Sequence, residues 1–411
     1  MDSLLEWMIA CLMAHGASAP SGALPAYAEP PIQEPAAGAG QGTEQAQLER
    51  RVAELERELA EVKEWMAPAE DYAPGYSLGP LLQFHGFADI TFGVLDVDSD
   101  APGGDDTSDR FALGQLDFFP TSQLSERISF LNETVLKSSS SQGSSASIER
   151  LIIKYLVSDS LNVQAGRFHT TVGYWNEAYH HGEWLQTSIG RPEVVAFDGI
   201  LPIHLVGIVL KGKQEWRPAG IDYTLEIGNG RGATSDVTQN VSDANDSKAV
   251  NLSLAARPAG VPGLRIGAGI YVDEIPANTS SSAGPLHGSL DERILSAFAT
   301  YREGAWEVLG ELFDVEHEDG SSATSKGWYV QVGRKLGDWT PYARVEKVEV
   351  DDGDPFYADL DDLERALIGV RWDFSTWNAL KLQVGHGRID AGPGGSDSDV
   401  TEVLVQTAFT F

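Results

Sequence analysis

Residues 169 to 203 read HTTVGYWNEAYHHGEWLQTSIGRPEVVAFDGILPI and concentrate groups that could do chemistry. Tyr174, Trp175, Asn176, Tyr179, His180, His181, Glu183, Trp184, Gln186, Glu193 and Asp198 all fall within this stretch. Imidazoles with a carboxylate suit zinc, and His169, His180, His181 and His204 with Glu183 could supply them. The spacing argues against it: adjacent histidines without H-E-x-x-H read better as groups that hydrogen-bond the segment in place, and no metal is assigned. A nucleophile has no better support, because neither G-x-S-x-G nor S-x-x-K occurs between residues 82 and 411. GNGRG at 228–232 lacks the strand–glycine–helix context of a dinucleotide site. What remains is aromatic bulk, with carboxylates and amides that can face water. The reading is therefore of a protein that is not an enzyme.

The elements that must position this stretch are strands. Sixteen candidates run 82–95, 110–119, 126–136, 147–157, 161–168, 204–217, 221–229, 249–257, 264–273, 293–302, 306–317, 326–334, 339–350, 362–373, 378–388 and 400–411. Many alternate with period two, the mark of a strand with one apolar face. Leu264, Ile266, Ala268, Ile270 and Val272 oppose Arg265, Gly267, Gly269, Tyr271 and Asp273. Ala366, Ile368, Val370, Trp372 and Phe374 oppose Arg365, Gly369, Arg371 and Asp373. The candidates at 306–317 and 339–350 break phase. By parity Arg150, Lys154, Arg167, Arg257, Arg265, Arg344, Arg365, Arg371 and Lys381 share the polar face with Asp89, Asp222, Glu226 and Asp373.

Connections alternate too: long acidic stretches such as DVDSDAPGGDDTSD and VDDGDPFYADLDDLE follow odd strands, and short turns such as SDS, RPAG and LGD follow even ones. Aromatics crowd strand ends at Phe118, Phe119, Trp216, Trp306, Trp328, Trp339, Trp372, Trp377 and Phe409. A soluble sandwich also alternates, but an even strand count, short turns on one rim and aromatic girdles fit a transmembrane barrel. The expected fold is all-β: a 16-stranded antiparallel transmembrane β-barrel over 82–411, preceded by a short coiled-coil helix.

The remainder of the 411 residues supports that class. A formal charge of −32 excludes nucleic acid held by a general basic surface. The one cysteine, Cys11, excludes an intrachain disulfide and leans towards export. Residues 1–28 read as a signal peptide, with an apolar run at Leu4–Ala14 and small residues at Ala26 and Ala28, although Asp2 and Glu6 stand where basic residues belong. Residues 29–47 and 67–81 read as linkers. Between them, 48–66 carry a strict a/d seam of Leu48, Val52, Leu55, Leu59, Val62 and Met66, which reads as a small oligomerising coiled coil.

The chain ends TEVLVQTAFTF, with Val403, Val405, Thr407, Phe409 and Phe411 on one face. A last strand closing on an aromatic resembles the carboxyl-terminal signal of bacterial outer-membrane barrels, and Val403, Val405, Phe409 and Phe411 carry the match. With the leader, the heptads and the sixteen strands, the chain resembles the bacterial outer-membrane trimeric porins, nearest to the phosphate-selective porin O and P type with an N-terminal coiled coil.

That resemblance implies a water-filled channel for passive diffusion of small hydrophilic solutes or ions in the outer membrane of a Gram-negative bacterium. It implies a homotrimer, outer-membrane lipid and lipopolysaccharide as surroundings, and insertion by the barrel-assembly machinery. It also implies that the third external loop, 169–203, folds inward as the constriction, with Tyr174, Trp175, Asn176, Tyr179, His180, His181, Glu183, Trp184, Glu193 and Asp198 facing a basic wall of Arg150, Lys154, Arg167, Arg265, Arg344, Arg365, Arg371 and Lys381. A basic wall opposite an acidic loop would set up a transverse field; the plainer reading pairs those bases with lumenal acids. The scarcity of lysine departs from the phosphate-selective pattern. No cofactor is expected beyond divalent cations at the acidic external loops, where Asp96–Asp109 and Asp351–Asp362 cluster. The competing readings are an all-β carbohydrate-binding or surface protein and an outer-membrane hydrolase.

Overall fold

The computed structural model describes residues 81–411 apart from 102, 140–142, 180–181, 198, 235–239, 244, 279–285, 287 and 393. The expected signal peptide, linkers and coiled coil lie outside the described residues. Sixteen antiparallel strands form a closed barrel in which each pairs with its neighbours in sequence and the first pairs with the last. They are β1 (Leu82–Ser99), β2 (Asp106–Gln123), β3 (Ile128–Ser139), β4 (Gly143–Ser158), β5 (Leu161–His169), β6 (His204–Glu215), β7 (Ala219–Gly228) and β8 (Ala249–Pro258). The ring continues with β9 (Leu264–Ile275), β10 (Leu290–Glu303), β11 (Trp306–Glu318), β12 (Ser322–Arg334), β13 (Trp339–Glu349), β14 (Asp362–Trp372), β15 (Asn378–Asp390) and β16 (Ser398–Thr410).

The alternation read from the sequence has its cause in this closure. Successive side chains point to opposite faces, so one set lines the lumen and the other forms the exterior. Ile368, Leu312, Ile153, Leu254 and Val345 stand exposed on the outside, a face that water would not favour. Val403 and Val405 face outward with them, while Gln406 points in and donates to Asp89 Oδ2 at 3.3 Å.

Three expectations change. The stretch Asp96–Asp109 is mostly strand, since β1 runs to Ser99 and β2 starts at Asp106, leaving only 100–105 between them. The connections after β3 and β11 are three residues each, 140–142 and 319–321, so long loops do not follow every odd strand. Phe119 lies beneath the Arg150 guanidinium, 5.4 Å from its ring centroid, and so faces the lumen rather than an outer girdle.

The broken phase of the 306–317 and 339–350 candidates is not a bulge. Both strands pair without a register shift. Their inward faces carry Leu309, Phe313 and Val315 on β11 and Val348 on β13, all buried. Apolar residues stand on the lumen side there because something apolar packs against them inside the barrel. A buried apolar cluster therefore lies inside the lumen, and it includes Val172, Trp175, Val194, Val195, Ile200 and Leu201 of the long β5–β6 connection.

The seam is closed to the last residue. Phe411 N–H donates to the Gly86 carbonyl at 3.1 Å, Gly86 N–H returns a bond to the Phe411 carbonyl at 2.9 Å, and the Phe411 ring meets Phe118 edge-on at 6.1 Å. Deleting Phe411 removes both backbone bonds, each worth about 1 kcal/mol net, together with its ring contact. The expected outcome is a reduced yield of heat-modifiable barrel on gels of the membrane fraction; a yield equal to wild type would show that closure does not depend on this residue.

Candidate functional site: the connection folded into the lumen

The 34-residue connection between β5 and β6, 170–203, turns into the barrel at its first residues. Thr170 N–H donates to the Ile203 carbonyl at 3.0 Å, and the buried Asn176 amide ties the two limbs by donating to the carbonyls of Thr170 (3.0 Å) and Ile203 (2.9 Å). Gly173 sits at φ +83°, where a Cβ would meet the Glu311 carboxylate and the Phe313 ring. Only glycine fits that bend. A short helix, α1 (Trp175–Ala178), follows.

Inward-facing acids hold the first limb through its N–H groups. Glu226 of β7 accepts from Thr171 N–H at 3.0 Å. Glu311 of β11 accepts from the N–H groups of Tyr174 and Trp175, the latter at 2.8 Å, and from Tyr329 Oη at 2.7 Å. Glu346 of β13 accepts from Glu193 N–H at 2.7 Å.

Inward-facing bases hold the middle of the loop through its carbonyls. Arg371 donates to Trp184 (2.6 Å) and Gln186 (2.9 Å), and its guanidinium lies 4.9 Å from the Trp184 ring centroid. Lys381 donates to the carbonyls of Glu183 and Ser188, the latter at 2.9 Å. Arg344 donates to Ser188 Oγ (3.1 Å) and to the carbonyls of Gly190 (3.1 Å) and Arg191 (3.3 Å). Val194 packs over Gly327 of β12, where a Cβ would overlap it.

The return limb is gripped at one carbonyl. Ile200 C=O accepts from Tyr357 Oη at 2.6 Å and from Arg231 Nη1 at 3.2 Å, bringing together the β13–β14 and β7–β8 connections. Burial works against the Arg231 charge, but Glu292 at 2.6 Å and the neighbouring Tyr357 and Tyr271 outweigh it, so the guanidinium is held charged above its ordinary range. Burial pushes the Tyr357 phenol well above its usual value, which keeps it a donor. His317 sits against Asp354 at 2.7 Å and Glu292 at 3.1 Å in the same network.

The expected site residues thus take several roles. Trp175, Asn176 and Tyr179 are buried packing or tying groups; Glu183 lies 3.6 Å from Lys381, and Glu193 lies 3.7 Å from Arg365. Tyr174 packs against Phe298 with centroids 5.6 Å apart, and burial raises its phenol pKa. His180, His181 and Asp198 lie outside the described residues. Arg344, Arg371 and Lys381 do not stand free across a gap from an acidic loop; they hold its backbone. Arg365 pairs with Glu346 at 2.6 Å, Arg265 with Asp222 at 3.1 Å, and Arg150 with Glu133. Arg167 donates to the Glu149 carbonyl at 3.2 Å, and Lys154 lines a cavity of about 660 Å³ with Gln83, Thr121 and Gln164. Among the described residues no group of three or more His, Cys, Asp or Glu side chains is arranged to hold a metal ion.

Glu311 and Glu346 were not singled out in the sequence. Glu311 lies on a strand whose alternation is masked by inward apolar residues, whereas Glu346 shares its inward face with Arg344, two residues away, and parity with Arg344 was the signal that could have found it.

No family model matches the sequence, and no curated protein matches it. Solved structures do. The anion-selective porin from Comamonas acidovorans is similar over 81% of this chain and 100% of its own, with a TM-score of 0.57 and 12% identity. The outer membrane channel DcaP of Acinetobacter baumannii is similar over 83% and 100%, with a TM-score of 0.55 and 14% identity. OmpT, an outer membrane protein of Vibrio cholerae described in a trimer form, is similar over 81% and 100%, with a TM-score of 0.51 and 13% identity. The fold is the porin fold. At these identities the likeness is one of architecture alone.

Those anchors are testable. Arg344→Ala removes the group that holds Ser188, Gly190 and Arg191 of the loop and leaves Glu346 with one fewer cation. Breaking a buried ionic contact of this kind costs about 3 kcal/mol or more. The expected result is a lower temperature for the heat-modifiable gel transition and new protease cleavage between residues 184 and 193. Both readouts unchanged would mean that the loop is held without this arginine.

Proposed function

We propose that this chain is an outer-membrane porin: a passive, water-filled channel for small hydrophilic solutes or ions, embedded in the outer membrane of a Gram-negative bacterium. The observation that carries the reading is a closed barrel whose outside is apolar and whose polar inside is narrowed by one long, heavily anchored connection. A lumen of sixteen strands is wide and aqueous unless something fills it. The apolar exterior is suited to lipid, where only closed sheets leave no strand edge unsatisfied. In this reading the chain has no catalytic group, and residues 169–203 form the constriction.

A homotrimer is part of the proposal. It is supported by the heptads at 48–66, whose seam suits association of helices, and by the trimer form of a structural neighbour. The outward apolar bands would meet lipid, lipopolysaccharide or a second copy. The phosphate-selective class is not proposed, because that class relies on lysine clusters, and most of the lumenal bases here are engaged by the loop or by acids.

Planar bilayers provide the test. The purified, detergent-folded protein should give stepwise ohmic conductance. Excising residues 184–192, with a short glycine bridge, should raise single-channel conductance by about twofold, since the cross-section of a wide barrel is limited at its narrowest point. Steps of unchanged size would move the constriction elsewhere, and a folded barrel without any conductance would overturn the channel reading.

A further inference from the structure

Below the loop, towards the short β4–β5 and β6–β7 turns, the lumen keeps a cavity of about 560 Å³. Helix α1 borders it with Tyr174, Glu177 and Ala178, and the β4–β5 turn, β6, β7 and β9 supply its walls. That volume lies within the roughly 300–1,000 Å³ of small-molecule sites. Ser160 C=O accepts from Lys213 N–H at 3.1 Å and from Tyr223 Oη at 2.9 Å, so the turn that carries Asp159 is tied to the backbone of Lys213.

Six charged side chains line this cavity, three acids and three bases. Four of them are paired: Glu177 with Lys211, and Asp222 with Arg265 at 3.1 Å. The other two, Asp159 and Lys213, are exposed, and neither side chain has an ion pair or hydrogen bond among the described residues. Both stand where water and solute reach them, unlike the carboxylates buried at mid-height in the wall. The same cavity has an apolar patch. Leu156 is 38% exposed although it lines the lumen, and Leu161 and Ala178 adjoin the same space. Apolar surface left wet inside a polar vestibule is stabilised when a solute covers it.

We propose that this cavity is a subsite for a zwitterionic solute with a small apolar side chain, of the α-amino acid class. The solute carboxylate meets Lys213, its ammonium meets Asp159, and its side chain covers Leu156, Leu161 and Ala178. The inference rests on the channel reading and names a solute class at a place away from the constriction. Balance of charge decides against simpler ligands. With equal numbers of acids and bases around it, a singly charged solute meets its like charge as well as its opposite. A zwitterion finds a partner at each end without breaking an existing pair, and an uncharged solute gives neither Asp159 nor Lys213 a partner. Ion pairs this exposed are weak, so the solute is held briefly and released, as passage requires.

The experiment is single-channel current in KCl across a bilayer holding the full-length protein, with L-leucine added to each side in turn. Leucine carries no net charge, so a saturable and reversible fall in current reports occupancy of the path rather than an added carrier. Two probes keep the side chain and lose one charge: isocaproate lacks the ammonium, and isoamylamine lacks the carboxylate. Each should need about threefold more for the same fall, the scale of one exposed ion pair. Leucine should likewise need about threefold more on Lys213→Gln and on Asp159→Asn. Asp100→Asn with Asp105→Asn at the outer mouth should leave the leucine response unchanged. A conducting wild type that ignores leucine, an analogue that matches it, or charge variants that respond as wild type does would overturn the subsite and leave the channel standing. If one of the two variants yields no folded barrel, the other decides by the same measurement. Absence of conductance in folded wild type would instead remove the channel reading, and the subsite with it.

Discussion

Everything inside this protein depends on the hydrogen-bonded seam between the first and last strands. From Phe87 opposite Thr410 to Ser99 opposite Ser398, β1 and β16 pair residue by residue, and Gly86 with Phe411 completes the row. A sheet that failed to close would present an unpaired edge, which lipid cannot satisfy and which water would open to aggregation. Closure also creates the lumen. Once the strands form a ring, every second side chain shares an enclosed space, and the problem of folding becomes one of filling that space.

The filling is uneven, and charge decides where it goes. On β11–β15 the wall offers acids to backbone N–H groups and bases to backbone carbonyls, so a connection without regular structure is satisfied group by group. Glu311, Glu346, Arg344, Arg371 and Lys381 do for the loop what a neighbouring strand does for a strand. Unsatisfied, the same polar groups would prevent burial, since each lost partner costs on the order of 1–3 kcal/mol. Apolar contacts at Val194, Ile200, Leu309 and Phe313 add the water-excluding part. On β1–β4 the middle of the wall is acidic, with Asp117, Glu133 and Glu149 buried, and Phe197 of the loop lies 4.9 Å from Lys137 Nζ.

Lumenal charges thus have two tasks. Some hold the backbone of the connection; others pair with each other across neighbouring strands, as Arg150 does with Glu133 and Arg265 with Asp222. A cation on the plug side is already committed to a carbonyl or an acid, and its field is spent locally. Counting bases and acids along the chain does not distinguish these cases.

Much of the architecture was legible in the sequence because period-two alternation is a local property. Leu264 to Asp273 and Ala366 to Asp373 declare their two faces without reference to any other strand, and the terminal aromatic marks where the ring must close. The strand order needed only short turns between neighbours. Legibility failed where a residue's role depends on a partner far away in the chain. Leu309, Phe313 and Val348 looked out of phase because the apolar surface they meet is supplied by residues 172–201, and Arg344, Arg371 and Lys381 looked like a free basic wall because the carbonyls they bind lie over 150 residues distant. The sequence by itself determined sixteen strands, their two faces and a long third outer connection. Only the tertiary structure decided which lumenal charges are consumed in holding that connection and which pair with each other, because pairing energies fall off within a few ångströms and chain separation says nothing about that distance.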